Sequence, residues 1–251
     1  MRAPLFLTFD DGPDPVWTPR VMDVLGRHGA TATFFVLGWR VRETPALIGE
    51  LLEAGHRVEL HGDAHLDHEL ATPSELAADT DATMRLLQGF GVEPEWWRVP
   101  FGRPSTTTRL LAEQYGLRLA GWDADSHDWR GDGWAHQPAQ VSDAAEGGGV
   151  VLLHDAIAPG IGRTSASNTL EVVEALLKLA ARARTPATVL PPAEDTSFRI
   201  PSGAPRSPFA RNEATQRAWK GLDRWRRGDV SPAQPGESSP QPSESSPSAP
   251  E

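Results

Sequence analysis

No cysteine occurs anywhere in the 251 residues. Disulfides and thiolate metal sites are thereby excluded, and any metal held by this chain must sit on histidine, aspartate or glutamate. Positive charge is also short: 24 Lys and Arg stand against 34 Asp and Glu, a formal net charge of −10. A general nucleic-acid binder needs a basic face to neutralise phosphates, so no nucleic-acid partner is expected. No apolar run approaches the length of a membrane span, and Met1-Arg2-Ala3-Pro4 leads into the first strand without a charged-then-apolar leader. Read as a natural start, this leads to the expectation of a cytoplasmic protein. Tyrosine is nearly missing, with one residue against nine tryptophans. Several of those tryptophans (Trp96, Trp97, Trp122, Trp129, Trp134) stand near polar motifs and offer flat faces to a ligand, although packing of the rim accounts for at least half of them.

What is present is alternation. Leu5, Phe6, Leu7 and Phe9 predict a buried strand, and residues 18–28 a helix with Val21, Val24 and Leu25 on one face. The apolar run 32–37 suits a strand covered on both faces. A helix over 45–54 ends at Gly55, followed by a strand over 56–60 and a helix over 74–90 begun by Ser74. Short strands are expected near 96–99, 117–122 and 149–153, helices over 105–115, 137–146 and 169–182, and a last strand near 187–190. Strands alternating with helices point to a parallel α/β architecture, and the length suits one barrel domain over 1–192. In the extension 193–228, residues from Ser207 onward predict a helix with Ala214, Ala218, Leu222 and Trp225 on a stripe ringed by arginines. Docking on the barrel is favoured for it over a membrane surface. Residues 229–251, nearly all Ser, Pro, Glu and Gln, are expected to be disordered.

Five polar clusters fall at or just beyond predicted strand ends, where sites assemble on the C-terminal rim of a β/α barrel. Asp10-Asp11 closes the first strand, with Gly12-Pro13 turning the chain away. Side by side these acids repel unless a cation or a proton separates their roles; the bland alternative is a solvated Asp-Gly turn. His61 and His65 follow the third strand four residues apart, a spacing that on one helical turn puts both imidazoles on the same side. With one of the paired aspartates, two histidines and a carboxylate make a three-ligand site with room for water and substrate. The other clusters are Arg98-Val99-Pro100-Phe101-Gly102, Trp122 through Trp129, and Leu152-Leu153-His154-Asp155. Taken singly, Arg98 reads as a surface charge and His154 as a structural histidine.

In order, the five clusters resemble the motifs T-F-D-D-G, H-[S/T]-x-x-H, R-x-P-[F/Y], D-x-x-D-W and L-x-H-D of the polysaccharide deacetylase family, carbohydrate esterase family 4. The resemblance spans roughly residues 4–190 and takes in Ala30 through Val36 as the second strand. It implies a distorted (β/α)7-type barrel, and a metal-dependent hydrolase that removes acetyl groups from an N-acetylated sugar. Asp11, His61 and His65 would bind one divalent ion, zinc by family habit, with cobalt, nickel or manganese also suited to the donors. Asp10, paired with Arg98, would be the general base that activates water. His154, oriented by Asp128, would be the general acid at the leaving amine. The backbone N–H of Phe101 would hold the oxyanion, and Trp129 and Leu152 would line the pocket for the acetyl methyl. Gly62 departs from the pattern, standing where a Ser or Thr hydroxyl stiffens the metal-binding loop, and Glu59-Leu60 replaces a small and polar pair. A difference in metal affinity or in loop rigidity is the expected consequence.

Two other readings share these residues. The same fold and metal site hydrolysing another C–N bond, in a small non-sugar amide, suits a cytoplasmic address. A non-catalytic glycan-binding module is disfavoured because the acid, the base and the ligands are all retained. The remaining histidines have no motif role, although His68 and His127 lie near the site in sequence. Oligomeric state is not legible.

Overall fold

A computed structural model describes residues 3–157 and 163–195. Seven parallel strands form its sheet: β1 (Leu5–Asp10), β2 (Thr33–Val36), β3 (Arg57–Leu60), β4 (Trp96–Trp97), β5 (Arg118–Leu119), β6 (Ala124–Asp125) and β7 (Gly149–His154). Their order is β5-β4-β3-β2-β1-β7-β6, and the sheet curls into an incomplete barrel. Seven α-helices connect or flank the strands among the described residues: α1 (Trp17–Arg27), α2 (Gly38–Glu43), α3 (Ala46–Glu53), α4 (Pro73–Gln88), α5 (Thr106–Tyr115), α6 (Ala139–Gly147) and α7 (Ser167–Ala183). None of these is long and apolar enough to cross a membrane.

Both faces of the central strands are covered, so alternate residues serve different cores. Leu5, Leu7, Phe9, Phe34, Val36, Val151 and Leu153 point outward and pack on Val21, Leu25, Ile48, Leu51, Val172 and Leu176 from the helices. Phe6, Phe35, Val150 and Leu152 point inward with Trp96 and Trp122. The inward row on β1 therefore reads Phe6, Thr8, Asp10: apolar at the closed end, polar where the barrel opens. Register then assembles the site, because Asp10 lies opposite both Phe35 and His154, and Leu60, one residue before His61, lies opposite Trp97, one residue before Arg98.

Several boundaries differ from the sequence expectation for local reasons. Helix α4 is capped by Thr72 rather than Ser74: Pro73 takes the first helical position, and Thr72 and Glu75 satisfy each other's backbone N–H groups in a capping box. The expected strand over 117–122 is only Arg118–Leu119, and the next strand starts after Asp123. Near 187–190 only one parallel bridge forms, Leu5 to Ala187, within a segment bounded by Pro186 and Pro191, which lack N–H donors. The short helix α2 is absent from the sequence reading. The helix expected after Ser207 and the tail over 229–251 lie outside the described residues.

Candidate active site

Asp10 ends β1 pointing inward, buried, with Arg98 as its partner. Arg98 is itself fully buried; its Nη1 donates to Asp10 Oδ1 (2.9 Å) and to Thr8 Oγ1 (2.7 Å), and its Nη2 to the Gly121 carbonyl (3.0 Å). The guanidinium lies 4.2 Å over the Phe35 ring, so it is clamped between an acid and an aromatic floor. Asp10 Oδ2 is the oxygen left facing the cleft, 3.9 Å from His61 Nε2.

Asp11 turns in the left-handed region (φ 75), which sends its carboxylate away from that of Asp10 and toward the histidines. Its Oδ1 lies 3.3 Å from His61 Nε2 and 3.3 Å from His65 Nε2, yet it is buried with no hydrogen-bond partner among the described residues. The His61 Nδ1 is 2.8 Å from the Arg98 carbonyl, an acceptor, so Nδ1 carries a proton and Nε2 is the ring atom turned on Asp11. A carboxylate oxygen facing two imidazole nitrogens at 3.3 Å calls for a metal ion or a proton between them. Among the described residues, Asp11, His61 and His65 form the one group close enough to hold a metal, with donor atoms all within 4.8 Å of one another. The 3.3 Å separations match the edge of a tetrahedron with bonds of ~2.0–2.1 Å. The donor set therefore fits a divalent ion.

A proton on His61 answers the same need. Burial pushes the Asp11 carboxyl up, but the nearby imidazoles of His65, His61 and His154 outweigh it and hold Asp11 well below the usual carboxylate range. Burial works against charge on His61 as well, and Asp10 and Asp11 overcome it to raise its pKa. Burial dominates at His65, which falls to about 3 despite Asp11 and so presents a neutral imidazole.

The four-residue spacing of His61 and His65 works differently from the helical turn expected. Residues 61–65 form a loop, with Gly62 at φ 96 and His65 at φ 52, and the imidazoles meet because the loop doubles back. Phe101 is also left-handed (φ 60), and its ring stands edge-on to His65 with centroids 4.5 Å apart. Of the five non-glycine residues with positive φ among the described residues, four (Asp11, His65, Phe101, His127) belong to these rim loops. Backbone strain of that kind collects where a fold must aim side chains.

On the neighbouring strand, His154 ends β7 opposite Asp10. Its Nδ1 and its backbone N–H lie 2.8 Å from the two oxygens of Asp128, and Thr169 Oγ1 donates to the same carboxylate (2.7 Å). Arg163 Nη1 donates to the Asp128 carbonyl (2.8 Å) and lies 3.8 Å from Oδ2. Burial opposes charge on both partners, but each overcomes it in the other: Asp128 is lowered to about 2 and His154 raised to about 9. With Nδ1 engaged by Asp128, Nε2 is the His154 atom available to donate. Trp129 and Leu152 are buried on this same side.

All ten residues singled out from the sequence thus lie at the C-terminal ends of the strands or in the loops directly after them. Thr8, Arg163 and Thr169 were missed. Thr8 stood in the first motif, whereas Arg163 and Thr169 lie in a stretch with no pattern to mark them. Among the tryptophans, Trp96 and Trp97 are fully buried in the packing, as the plainer reading had it.

The fold and the site define a class: a parallel α/β half-barrel whose strand ends carry a candidate metal centre between an acid–arginine pair and a histidine–aspartate pair. Comparison with known proteins makes the class specific, and the chain belongs to the polysaccharide deacetylase family. The family model described as polysaccharide deacetylase matches residues 2–120. The chain is 35% identical over 176 residues to the chitooligosaccharide deacetylase of Bradyrhizobium sp. (strain ANU 289), covering 68% of this chain and 80% of that protein. It is 34% identical over 151 residues to the peptidoglycan-N-acetylglucosamine deacetylase of Bacillus cereus, covering 59% of this chain and 71% of the relative. A family 4 carbohydrate esterase from Streptomyces lividans, solved in complex with acetate, superposes with a TM-score of 0.64 at 26% identity over 74% of this chain and 91% of that one. A family 4 pseudoenzyme from Bacillus anthracis shares the fold equally well, with a TM-score of 0.64 at 18% identity over 75% of this chain and 64% of the other. The fold alone therefore does not establish activity, and the residues at the site must carry that argument.

Proposed function

We propose that this protein is a metal-dependent N-deacetylase acting on an N-acetylated amino sugar of the N-acetylglucosamine type, as an oligosaccharide or a smaller intermediate. The observation that carries the reading is that two held proton-handling groups lie beside the Asp11–His61–His65 cluster. Asp10, held by Arg98, ends β1, and His154, held by Asp128, ends the neighbouring strand β7 opposite it in register.

An amide resists water because its carbonyl is a poor electrophile and its amine a poor leaving group. A divalent ion held by Asp11, His61 and His65 would supply Lewis-acid polarisation of the carbonyl and lower the pKa of water. The chain's own residues do the rest. Asp10 Oδ2 takes the proton of the attacking water while Arg98 fixes the other carboxylate oxygen. The N–H of Phe101 helps to hold the negative oxygen of the tetrahedral intermediate. As the C–N bond breaks, His154 Nε2–H gives its proton to the departing nitrogen, releasing acetate and a free amine. A positioned acid or base of this kind contributes typically ~10²–10⁴-fold. His154, raised to about 9 by Asp128, is protonated at neutral pH and ready for that step. Trp129 and Leu152 enclose the acetyl methyl.

The test is acetate release from N-acetylglucosamine oligomers by protein loaded with zinc, cobalt, nickel or manganese in turn. Acetate is expected with at least one metal, none after chelation, and none with Asp10→Asn. A fully loaded protein that releases acetate from no acetylated sugar in a broad panel removes the sugar assignment. Product mass spectrometry on small amides then decides whether another C–N bond is the target.

A further inference from the structure

The loop between His61 and His65 lacks the hydroxyl that would ordinarily stiffen it, yet its backbone is pinned. Gly62 accepts through its carbonyl from Gly38 N–H (3.0 Å), and Asp63 through its own from Trp39 N–H (3.4 Å), both at the start of α2. The two N–H groups that follow are taken by one side chain. Asp63 N–H donates to Asp79 Oδ2 and Ala64 N–H to Asp79 Oδ1, each at 2.8 Å, across 16 and 15 residues of sequence. Asp79 is buried in the middle of α4, a helix that contributes nothing else to the site. Arg42 on α2 closes the frame with two hydrogen bonds to the Asp63 carboxylate (2.7 and 2.8 Å).

Gly62 is the other half of this arrangement. Its φ of 96 lies where side chains are strained, and a Cβ built on it would come 2.7 Å from Asp79 Oδ2. A serine or threonine at position 62 would have to displace the carboxylate that grips the next two N–H groups.

We propose that Asp79 is the positioning residue of the metal centre: its carboxylate fixes the loop that presents His61 and His65, and Gly62 is the residue that lets it approach. This rests on the reading of Asp11, His61 and His65 as metal ligands. Charge-assisted bonds from two consecutive N–H groups to one carboxylate are strong and directional. They set the relative aim of two imidazoles whose intervening loop has only three residues. Outer partners that orient ligands are typically worth ~10–100-fold in metal affinity.

Zinc affinity is measured by competition with a chromophoric chelator, the cobalt d–d spectrum is recorded, and the melting temperature of the metal-free protein is followed in parallel. In Asp79→Asn an amide NH2 faces a backbone N–H while volume and fold are kept. Zinc binding is expected to weaken at least about tenfold and the cobalt bands to shift. A role confined to holding α4 against the loop would lower the metal-free melting temperature and leave affinity and spectrum untouched, and that result overturns the proposal. The link to Gly62 is tested by a double-mutant cycle. Gly62→Ala should cost several-fold more affinity in wild type than beside Asp79→Ala, since the strain of the positive φ is common to both backgrounds and the clash is not. Equal costs overturn the link. Wild-type protein that binds none of these metals overturns the metal reading, and this inference with it; wild type that binds zinc no better than Asp79→Asn overturns this inference alone.

Discussion

The two flanks of the site are built to different degrees of completion. On the β6–β7 side, Asp128 receives the ring and backbone N–H of His154 and the hydroxyl of Thr169, and Arg163 reinforces the turn from behind. On the β1–β3 side, Asp11 Oδ1 is equally buried but faces two imidazole nitrogens at 3.3 Å with no hydrogen bond to it among the described residues. The His154 half is finished by the fold itself. On the proposed reading a divalent ion would complete the other half, because unpaired buried carboxylate oxygens are costly and a cation removes that cost. The loop that carries its histidines would then be held by Asp79, as proposed above.

The largest expected effect breaks the incomplete half. Replacing His61 by Gln, or Asp11 by Asn, should lower kcat/KM for acetate release by at least about a thousandfold, several kcal/mol of lost carbonyl polarisation. Adding zinc should raise the melting temperature of wild type, by about 2.7 kcal/mol of stability at a hundred times the dissociation constant, and leave His61→Gln unmoved. Equal thermal shifts in both proteins would place the ion elsewhere.

Breaking the finished half should spare the metal. Asp128→Asn removes the charge that raises His154, so kcat should fall on the order of 10²–10³-fold while zinc affinity stays within about twofold of wild type. In wild type the activity should decline as pH rises through about 9, the point to which Asp128 lifts His154, because the acid is then deprotonated. In the variant that alkaline limb should move to lower pH. An unmoved limb in the rate profile would show that His154 is not the group titrating.

How much of this could be read from residues alone differs along the same lines. The strands at the sheet centre were legible because both faces are apolar, and Asp10, Asp11, His61, Arg98 and His154 were legible because each follows such a run within a residue or two. Their convergence depends on parallel register, which puts equivalent strand ends side by side. What stayed hidden are contacts whose meaning exists only in three dimensions. Asp79 sits in a helix with ordinary amphipathic spacing, and nothing in that spacing tells that its carboxylate reaches back to Asp63 and Ala64. The His61–His65 spacing suited a helical turn as well as a loop, and only the backbone at Gly62 and His65 decides for the loop. Likewise Thr72 and Ser74 both make good caps, and Pro73 between them settles which one serves.

The smallest effect on turnover is expected from the residue that joins the two halves. Asp155 follows His154 and is fully buried; it accepts a hydrogen bond from Thr18 Oγ1 (2.5 Å), and its carboxyl occupies the space where Gly12, next to Asp11, would carry a Cβ. Burial raises its pKa to about 7, against the Thr18 hydroxyl and Arg40, which pull it down. Because the folded value lies above the unfolded 3.8, the native state holds the proton more tightly, and this group's contribution to stability declines as pH rises from about 4 through about 7. Three units correspond to an upper bound of about 4 kcal/mol, fully expressed only above that range. Asp155→Asn keeps the shape without the ionisation. It should flatten the pH dependence of the denaturation midpoint over that interval and make the protein more stable than wild type at pH ~8, with kcat/KM changed less than about threefold. Unfolding curves at pH ~5 and ~8 for both proteins check this, and a variant that keeps the full wild-type slope would move the titration to another raised carboxyl, Glu59 on β3 or Asp125 on β6.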